Sequence, residues 1–314
     1  MPMAETVVFI RSMQFFGDQL VTYPLLYQLK KSRPSDRICV VAHDPVQSYY
    51  THLPWVDRFV EAKGLKEKYR SMPPDTELVL ALHHSSEQYS LLAAARRAPM
   101  RLGFRNNRAF DFLWTRSWKK DINEYIGLAN LNLLRILHDF NPREAARDCI
   151  EWIASGKTAP VQTSDVVFMV GGGAGAFKRW GVQNYTALAD RLKTLLGPDT
   201  TFTFVLGPAE TEETAMLRRY ARPDFRLLVS CPLAEIAYAS LNARLIVAND
   251  CGPSHIAQNA CGPYVGLFNE HNPEWFWQRE DSSLVCPTDG STNIQAITVD
   301  EAYAACRNAL QQKI

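Results

Sequence analysis

The sequence predicts an α/β protein of two similar domains, each carrying a parallel sheet. Three observations predict it. Short runs of Val, Ile, Leu and Phe alternate with amphipathic stretches along almost the whole chain, as expected of repeated strand–helix–strand units. The chain has 314 residues, about twice an ordinary domain. The two halves also open alike. Val7-Val8-Phe9-Ile10 precedes a loop holding Gly17, and Val166-Val167-Phe168-Met169 precedes a loop holding Gly171, Gly172, Gly173 and Gly175. A match this short is weak alone and counts only beside the other two.

In chain order, strands are expected at 7–10, 38–42, 78–82, 166–170, 202–206, 245–248 and 264–268. Each is nearly continuous in apolar residues, which suits strands buried on both faces of a parallel sheet. Helices are expected at 18–31, 86–97, 185–196, 210–220, 233–241 and 299–312. The last begins with Asp300 and Glu301, acids that favour the positive end of the helix dipole. Residues 155–165, SGKTAPVQTSD, are rich in Gly, Pro, Ser and Thr and have the chemistry of a linker. The expected domains are therefore 1–158 and 159–314, with the last helix free to return to the first.

Composition excludes several classes. With 46% hydrophobic residues and a net charge of +1, the chain is neither disordered nor a globally basic nucleic-acid binder. Its seven cysteines are scattered, odd in number and never in a Cys-x-x-Cys pair, so a zinc ribbon or a secreted disulfide framework is not supported. No run approaches the roughly 20 apolar residues of a membrane span, and the N-terminus lacks the features of a signal peptide. A cytoplasmic protein is expected, with any membrane contact peripheral.

Ligands of open parallel sheets bind beyond the carboxyl ends of the strands, and the distinctive residues fall there. Gly17-Asp18 follows the first strand; Asp18 is either a helix-capping acid or a general base aimed at an acceptor hydroxyl. After the fourth expected strand, the run 171–180 (GGGAGAFKRW) places three adjacent glycines before Lys178. It is either a flexible surface loop or a nest of backbone N–H groups for a diphosphate, with Lys178 as a point charge. It is not a Walker loop, because Gly-Lys-Ser/Thr is missing. Asn249-Asp250-Cys251-Gly252-Pro253-Ser254-His255 follows another strand, with Pro253 suited to the first position of a helix. His255 there is either an ordinary buried histidine or part of the same crevice, and Cys251 reads as packing. Residues 96–120 carry Arg96, Arg97, Arg101, Arg105, Arg108, Arg116, Lys119 and Lys120 among Phe and Trp side chains. That stretch is a solvated loop face, an anionic acceptor site or a patch for anionic lipid; no nucleic-acid recognition module accompanies it.

Together these residues resemble glycosyltransferase family 9, best known for the heptosyltransferases of lipopolysaccharide core assembly. The resemblance rests on Arg11, Gly17-Asp18 and Pro24, on the strand ending at His83-His84, on Lys178-Arg179-Trp180, on Leu206-Gly207-Pro208 with its following glutamates, and on Asn249-Asp250-x-Gly252-Pro253-x-His255. The last of these with Lys-x-Trp upstream is the most specific part.

The resemblance implies a GT-B architecture, two Rossmann-like domains facing across a cleft, the first binding acceptor and the second nucleotide-sugar. It implies an inverting transferase with no essential metal and no cofactor beyond its nucleotide-sugar co-substrate. ADP-heptose is the expected donor and an anionic lipid-linked saccharide the expected acceptor. Such an enzyme would lie at the inner face of the bacterial inner membrane, in peripheral contact with anionic lipid, and would bind no nucleic acid. By carry-over, Asp18 is the catalytic base. Gly173, Ala174 and Lys178 meet the donor diphosphate, Glu210 or Glu212 the ribose, and Asp250, Cys251, Gly252 and His255 line the rest of the donor site. Gly17, His83, His84 and Arg105 belong to the acceptor half. Two departures bear on the donor: Cys251 stands where Thr or Ser is common, and the phosphate loop is glycine-rich where hydroxyl residues are common. Three alternatives remain: a sugar-nucleotide epimerase or hydrolase, a non-catalytic nucleotide-sugar or glycan module, and a nicotinamide oxidoreductase. The last is disfavoured, because neither half pairs Gly-x-Gly-x-x-Gly with an acid about 20 residues on.

Overall fold

The computed structural model describes residues 4–11, 13–83, 88–157, 161–173 and 175–311. The chain divides into two compact units, Met1–Ala145 and Ala146–Ile314.

In the first unit the strands are β1 (Glu5–Phe9), β2 (Arg37–Ala42), β3 (Arg58–Glu61), β4 (Thr76–Ala81), β5 (Met100–Arg105) and β6 (Arg116–Lys119). They form one parallel sheet in the order β3-β2-β1-β4-β5-β6. The helices are α1 (Phe16–Leu20), α2 (Tyr23–Ser32), α3 (Leu65–Arg70), α4 (Gln88–Ala95) and α5 (Ile126–Arg135), and α6 (Pro142–Ser155) begins in this unit and runs on into the second. The sheet's centre is the sequence's own prediction: every residue of β1 is buried, and Val7, Phe9, Val41, Val79 and Ala81 pack in one cluster with Tyr89 of α4. The expected helix at 18–31 is two helices. The chain breaks at Val21-Thr22, where the Thr22 hydroxyl donates to the Gln19 carbonyl, and Pro24 lies in the first turn of α2.

The second unit repeats the plan with β7 (Val166–Met169), β8 (Phe202–Leu206), β9 (Phe225–Val229), β10 (Leu245–Asn249), β11 (Tyr264–Leu267) and β12 (Ser282–Val285). Their order, β12-β11-β10-β7-β8-β9, is the same arrangement with its first strand at the centre. Its helices are α7 (Val182–Leu196), α8 (Thr211–Tyr220), α9 (Leu233–Asn242), α10 (Ser254–Asn259) and α11 (Val299–Gln311). Ala302, Ala305, Cys306 and Ala309 of α11 pack in the core built on β7, β8, β10 and β11.

The two units meet at Ala145/Ala146, inside α6. Within the second unit, Arg147 donates to the Ala260 carbonyl and the Lys157 ammonium sits 4.6 Å from the Tyr238 ring centre. Two further expectations are corrected. The stretch 96–120 is not one loop face but contains β5 and β6. Here Gly103 is required by packing, because a Cβ would lie 2.3 Å from the Trp114 ring. Finally, Pro253 precedes α10 as its cap rather than opening it. No helix among the described residues is long and apolar enough to cross a membrane.

Candidate active site

In a sheet of this order, the loops leaving the two central strands diverge and open a crevice at the carboxyl edge. In the second unit these are the loops after β7 and β10, and they carry most of the predicted donor residues.

The glycine run is a folded turn, not a loose loop. Gly175 donates its N–H to the Gly172 carbonyl at 3.0 Å, and a Cβ on Gly172 would lie 2.7 Å from the Gly175 oxygen. Only glycine fits there. A single helical turn at Ala176–Lys178 follows, and Trp180 anchors the far end, its buried indole donating to the Ile297 carbonyl at 2.7 Å. Lys178 is thereby delivered to the first residue after β10: its ammonium pairs with the carboxylate of Asp250, 72 positions away. Both side chains are largely shielded, so the pair is held in a reduced dielectric where charge acts more strongly than in water.

Beyond Asp250 the chain turns tightly, the Ser254 hydroxyl donating to the Cys251 carbonyl at 2.6 Å. His255 is buried, and burial lowers its pKa to about 4; Asp250 opposes the shift and Lys178 assists it. Geometry agrees. The Gln258 side-chain oxygen accepts the Trp277 N–H, which turns its amide nitrogen toward the Trp275 carbonyl and toward His255 Nδ1 at 3.4 Å. A neutral imidazole receives that donor; an imidazolium would oppose it with a second one. Cys251 is also buried, and desolvation pushes its thiol up to about 12, so it supplies no thiolate near neutral pH.

The glutamates after β8 divide by role. Glu210 is buried, accepts the Gly207 N–H at 2.7 Å and pairs with Arg179 at 3.0 Å. Arg179 also holds Glu213 at 2.9 Å, while Glu212 is exposed. Gly173 and Gly252 approach each other, a Cβ on Gly173 lying 3.8 Å from the Gly252 nitrogen. Ala174 lies outside the described residues.

In the first unit, Gly17 and Asp18 sit in α1, which follows β1, and His83 lies two residues past β4. These strands are the central pair of their own sheet, so both segments mark its crevice. Asp18 is 5% exposed and is not the helix cap, a position held by Phe15. It lies beside a buried polar set in which the Tyr50 hydroxyl donates to Gln19 Oε1 at 2.8 Å and sits 3.1 Å from the Thr22 hydroxyl. Burial, with a smaller contribution from the Asp18 charge, holds the Tyr50 hydroxyl well above its usual range, so it stays protonated. The His83 ring stacks on Tyr89 with 4.9 Å between centres; His84 lies outside the described residues.

Several cations of the basic stretch serve the fold. Arg96 donates to the Tyr69 carbonyl, Arg101 to those of Ala98 and Leu113, and Arg116 to that of Ile136, while Lys120 is buried. Arg105 and Lys119 remain exposed and stand in register at the carboxyl ends of β5 and β6. Sequence reasoning named Arg179 and Asn249 within their motifs but gave them no role, and it missed Tyr185; each acts through a partner distant in the chain.

The family model described as glycosyltransferase family 9 (heptosyltransferase) matches residues 77–294. The chain belongs to this family. It is a glycosyltransferase, and its two Rossmann-like units are those of the GT-B fold. No curated protein matches it in sequence. Among solved structures it is similar to a family 9 glycosyl transferase from Veillonella parvula, with 19% identity, a TM-score of 0.65, and coverage of 99% of this chain and 98% of that one. The E. coli heptosyltransferase WaaC with ADP has 12% identity, a TM-score of 0.65 and coverage of 98% of each chain. A UDP-GlcNAc 2-epimerase from Methanocaldococcus jannaschii has 13% identity and a TM-score of 0.55, with coverage of 98% of this chain and 92% of that one.

Proposed function

We propose that this family 9 glycosyltransferase is an inverting, metal-independent enzyme that moves a heptose or related sugar from a nucleotide donor to an anionic lipid-linked saccharide. The observation that carries the donor half is the meeting of Lys178 with the Asp250 segment at the divergence of β7 and β10. A diphosphate entering there offers the Lys178 ammonium a stronger partner than Asp250. As the sugar–phosphate bond breaks, the leaving diphosphate gains negative charge, and a preoriented ammonium and backbone N–H groups are what such a transition state requires. His255, held neutral, contributes shape and hydrogen bonding rather than charge. Glu210 is spent on Gly207 and Arg179, which leaves exposed Glu212 as the acid for the ribose hydroxyls. The ADP in the WaaC structure supports an ADP-linked donor.

In this reading Asp18 takes the proton of the acceptor hydroxyl as the new glycosidic bond forms on the face opposite the departing diphosphate. Its carboxylate leads the helix after the central strand of the acceptor half. Arg105 and Lys119 offer paired positive charge for an anionic acceptor. Exposed Phe112 and Ile122, near exposed Arg108 and Lys119 in the chain, suit a peripheral contact with anionic lipid on the cytoplasmic side.

The test is a thermal-shift panel of ADP, UDP, GDP, CDP and NAD, each with and without EDTA. A ligand near 100 times its Kd stabilises by about 2.7 kcal/mol. Stabilisation by ADP that EDTA leaves unchanged is expected. Stabilisation by UDP or GDP in its place reassigns the donor, and stabilisation by NAD alone overturns the proposal. Release of nucleoside diphosphate only when a saccharide acceptor is present separates transfer from epimerisation or hydrolysis.

A further inference from the structure

At the edge of the second unit's sheet, backbone pairing between β7 and β10 ends at Met169 opposite Ala248. Beyond that point the strands part to open the crevice, and the next two carbonyls of the β7 chain, Val170 and Gly171, would lose their partners. The side chain of Asn249 replaces the missing backbone. It is fully buried, and its amide nitrogen donates to the Val170 oxygen at 2.8 Å and to the Gly171 oxygen at 3.1 Å. Its own oxygen accepts the Tyr185 hydroxyl at 2.8 Å, which fixes which end of the amide faces the loop. Tyr185 in turn is wedged between Phe168 and Trp180, with ring centres 5.1 Å away in each case. All the strong capacities of this amide but one acceptor lone pair are therefore used.

The consequence follows from peptide geometry. In a trans peptide the C=O of one residue and the N–H of the next point in opposite directions. Holding the oxygens of Val170 and Gly171 toward β10 therefore fixes the N–H groups of Gly171 and Gly172 away from it. Those are the opening groups of the glycine turn. We propose that Asn249, oriented by Tyr185, is a positioning residue that presets the diphosphate-binding backbone of the glycine turn without touching the ligand. The proposal rests on the reading of this unit as the nucleotide-sugar half.

Asn249→Asp keeps the shape and replaces the double donor by an acceptor facing two carbonyls. Tyr185→Phe keeps the packing and removes the hydroxyl that orients the amide, with its longer 3.4 Å contact to the Met169 carbonyl. Affinities for ADP and adenosine, and for UDP and uridine, are measured on wild type and both variants by calorimetry or, for the nucleosides, NMR titration. Losing or misdirecting a hydrogen bond to a charged group weakens binding by about 10- to 100-fold. Asn249→Asp is therefore expected to weaken diphosphate binding about 10- to 100-fold, with nucleoside binding unchanged within about twofold; Tyr185→Phe shifts the same ratio less. Equal losses for diphosphate and nucleoside mark a merely structural role and overturn the proposal. So does an unchanged ratio in both variants, or in Tyr185→Phe alone where Asn249→Asp does not fold. Wild type that binds none of ADP, UDP, GDP and CDP removes the nucleotide-sugar reading itself, a result visible before any variant is made.

Discussion

His255 makes the stability of this protein depend on pH in a defined window. In the unfolded chain an imidazole takes its proton near its ordinary 6.5, whereas in the fold burial delays this to about 4. Between those values the unfolded chain binds the extra proton, so stability must fall as pH falls. The contribution is complete above about 6.5, is lost progressively on the way down to about 4, and changes no further below that. The gap, at about 1.4 kcal/mol for each tenfold, amounts to roughly 3 kcal/mol. Urea unfolding at about pH 7.5 and about pH 4.5 on wild type and His255→Gln isolates it, because the carboxylates that also titrate there are common to both proteins. Wild type is expected to lose about 2–3 kcal/mol more than the variant over that interval. Equal losses would refute a neutral buried His255, whatever the variant does to stability at any single pH.

Three further outcomes are expected. Asp18→Asn, folded and still able to bind the donor nucleotide, should lose roughly 10²–10⁴-fold in kcat, and near-normal turnover removes its assignment as base. Gly103→Ala places a methyl against the Trp114 ring; overpacking of this kind costs about 1–3 kcal/mol, at roughly 2–4 °C of Tm for each, so an unchanged melting curve contradicts the packing of β5. With a thiol near 12, Cys251 is ionised in roughly one molecule in 10⁴ at pH 8. Mass spectrometry after alkylation should find half-buried Cys231 and Cys286 modified first, and early labelling of Cys251 contradicts its burial.

The interior of both sheets was legible because those strands are buried on two faces and read as unbroken apolar runs. The outer strands β3, β6, β9 and β12 were not, for the same physical reason in reverse. Arg58-Phe59-Val60-Glu61 and Arg116-Ser117-Trp118-Lys119 mix charge with aromatics, because an edge strand half exposed to water has no need of continuous apolarity. β5 was hidden by Arg101 and Gly103, the first spent on carbonyls and the second on Trp114. In the site, residues with local signatures were found: Gly17-Asp18, the glycine run with Lys178, and the Asp250–His255 turn. What stayed invisible was everything defined by a partner far away in sequence. Asn249 matters through carbonyls nearly eighty residues earlier, and Arg179 through glutamates over thirty residues later. The resemblance supplied the family; the internal uses of Glu210 and Arg179 emerge only in the fold, where Arg179 meets Glu210 and Glu213.

The repetition of one strand order in the two units has a consequence for synthesis. Each six-stranded sheet draws all its strands from its own stretch of chain. Yet β1, made first, lies at the centre and cannot be flanked on both sides until β4 has followed, some seventy residues later. The same delay recurs for β7, which waits for β10. While it waits, each central strand is an apolar segment in search of a neighbour, the situation that exposes a nascent chain to aggregation. Because no strand is shared, the first half can complete its sheet and bury β1 before β7 leaves the ribosome, so the two vulnerable intervals fall one after the other.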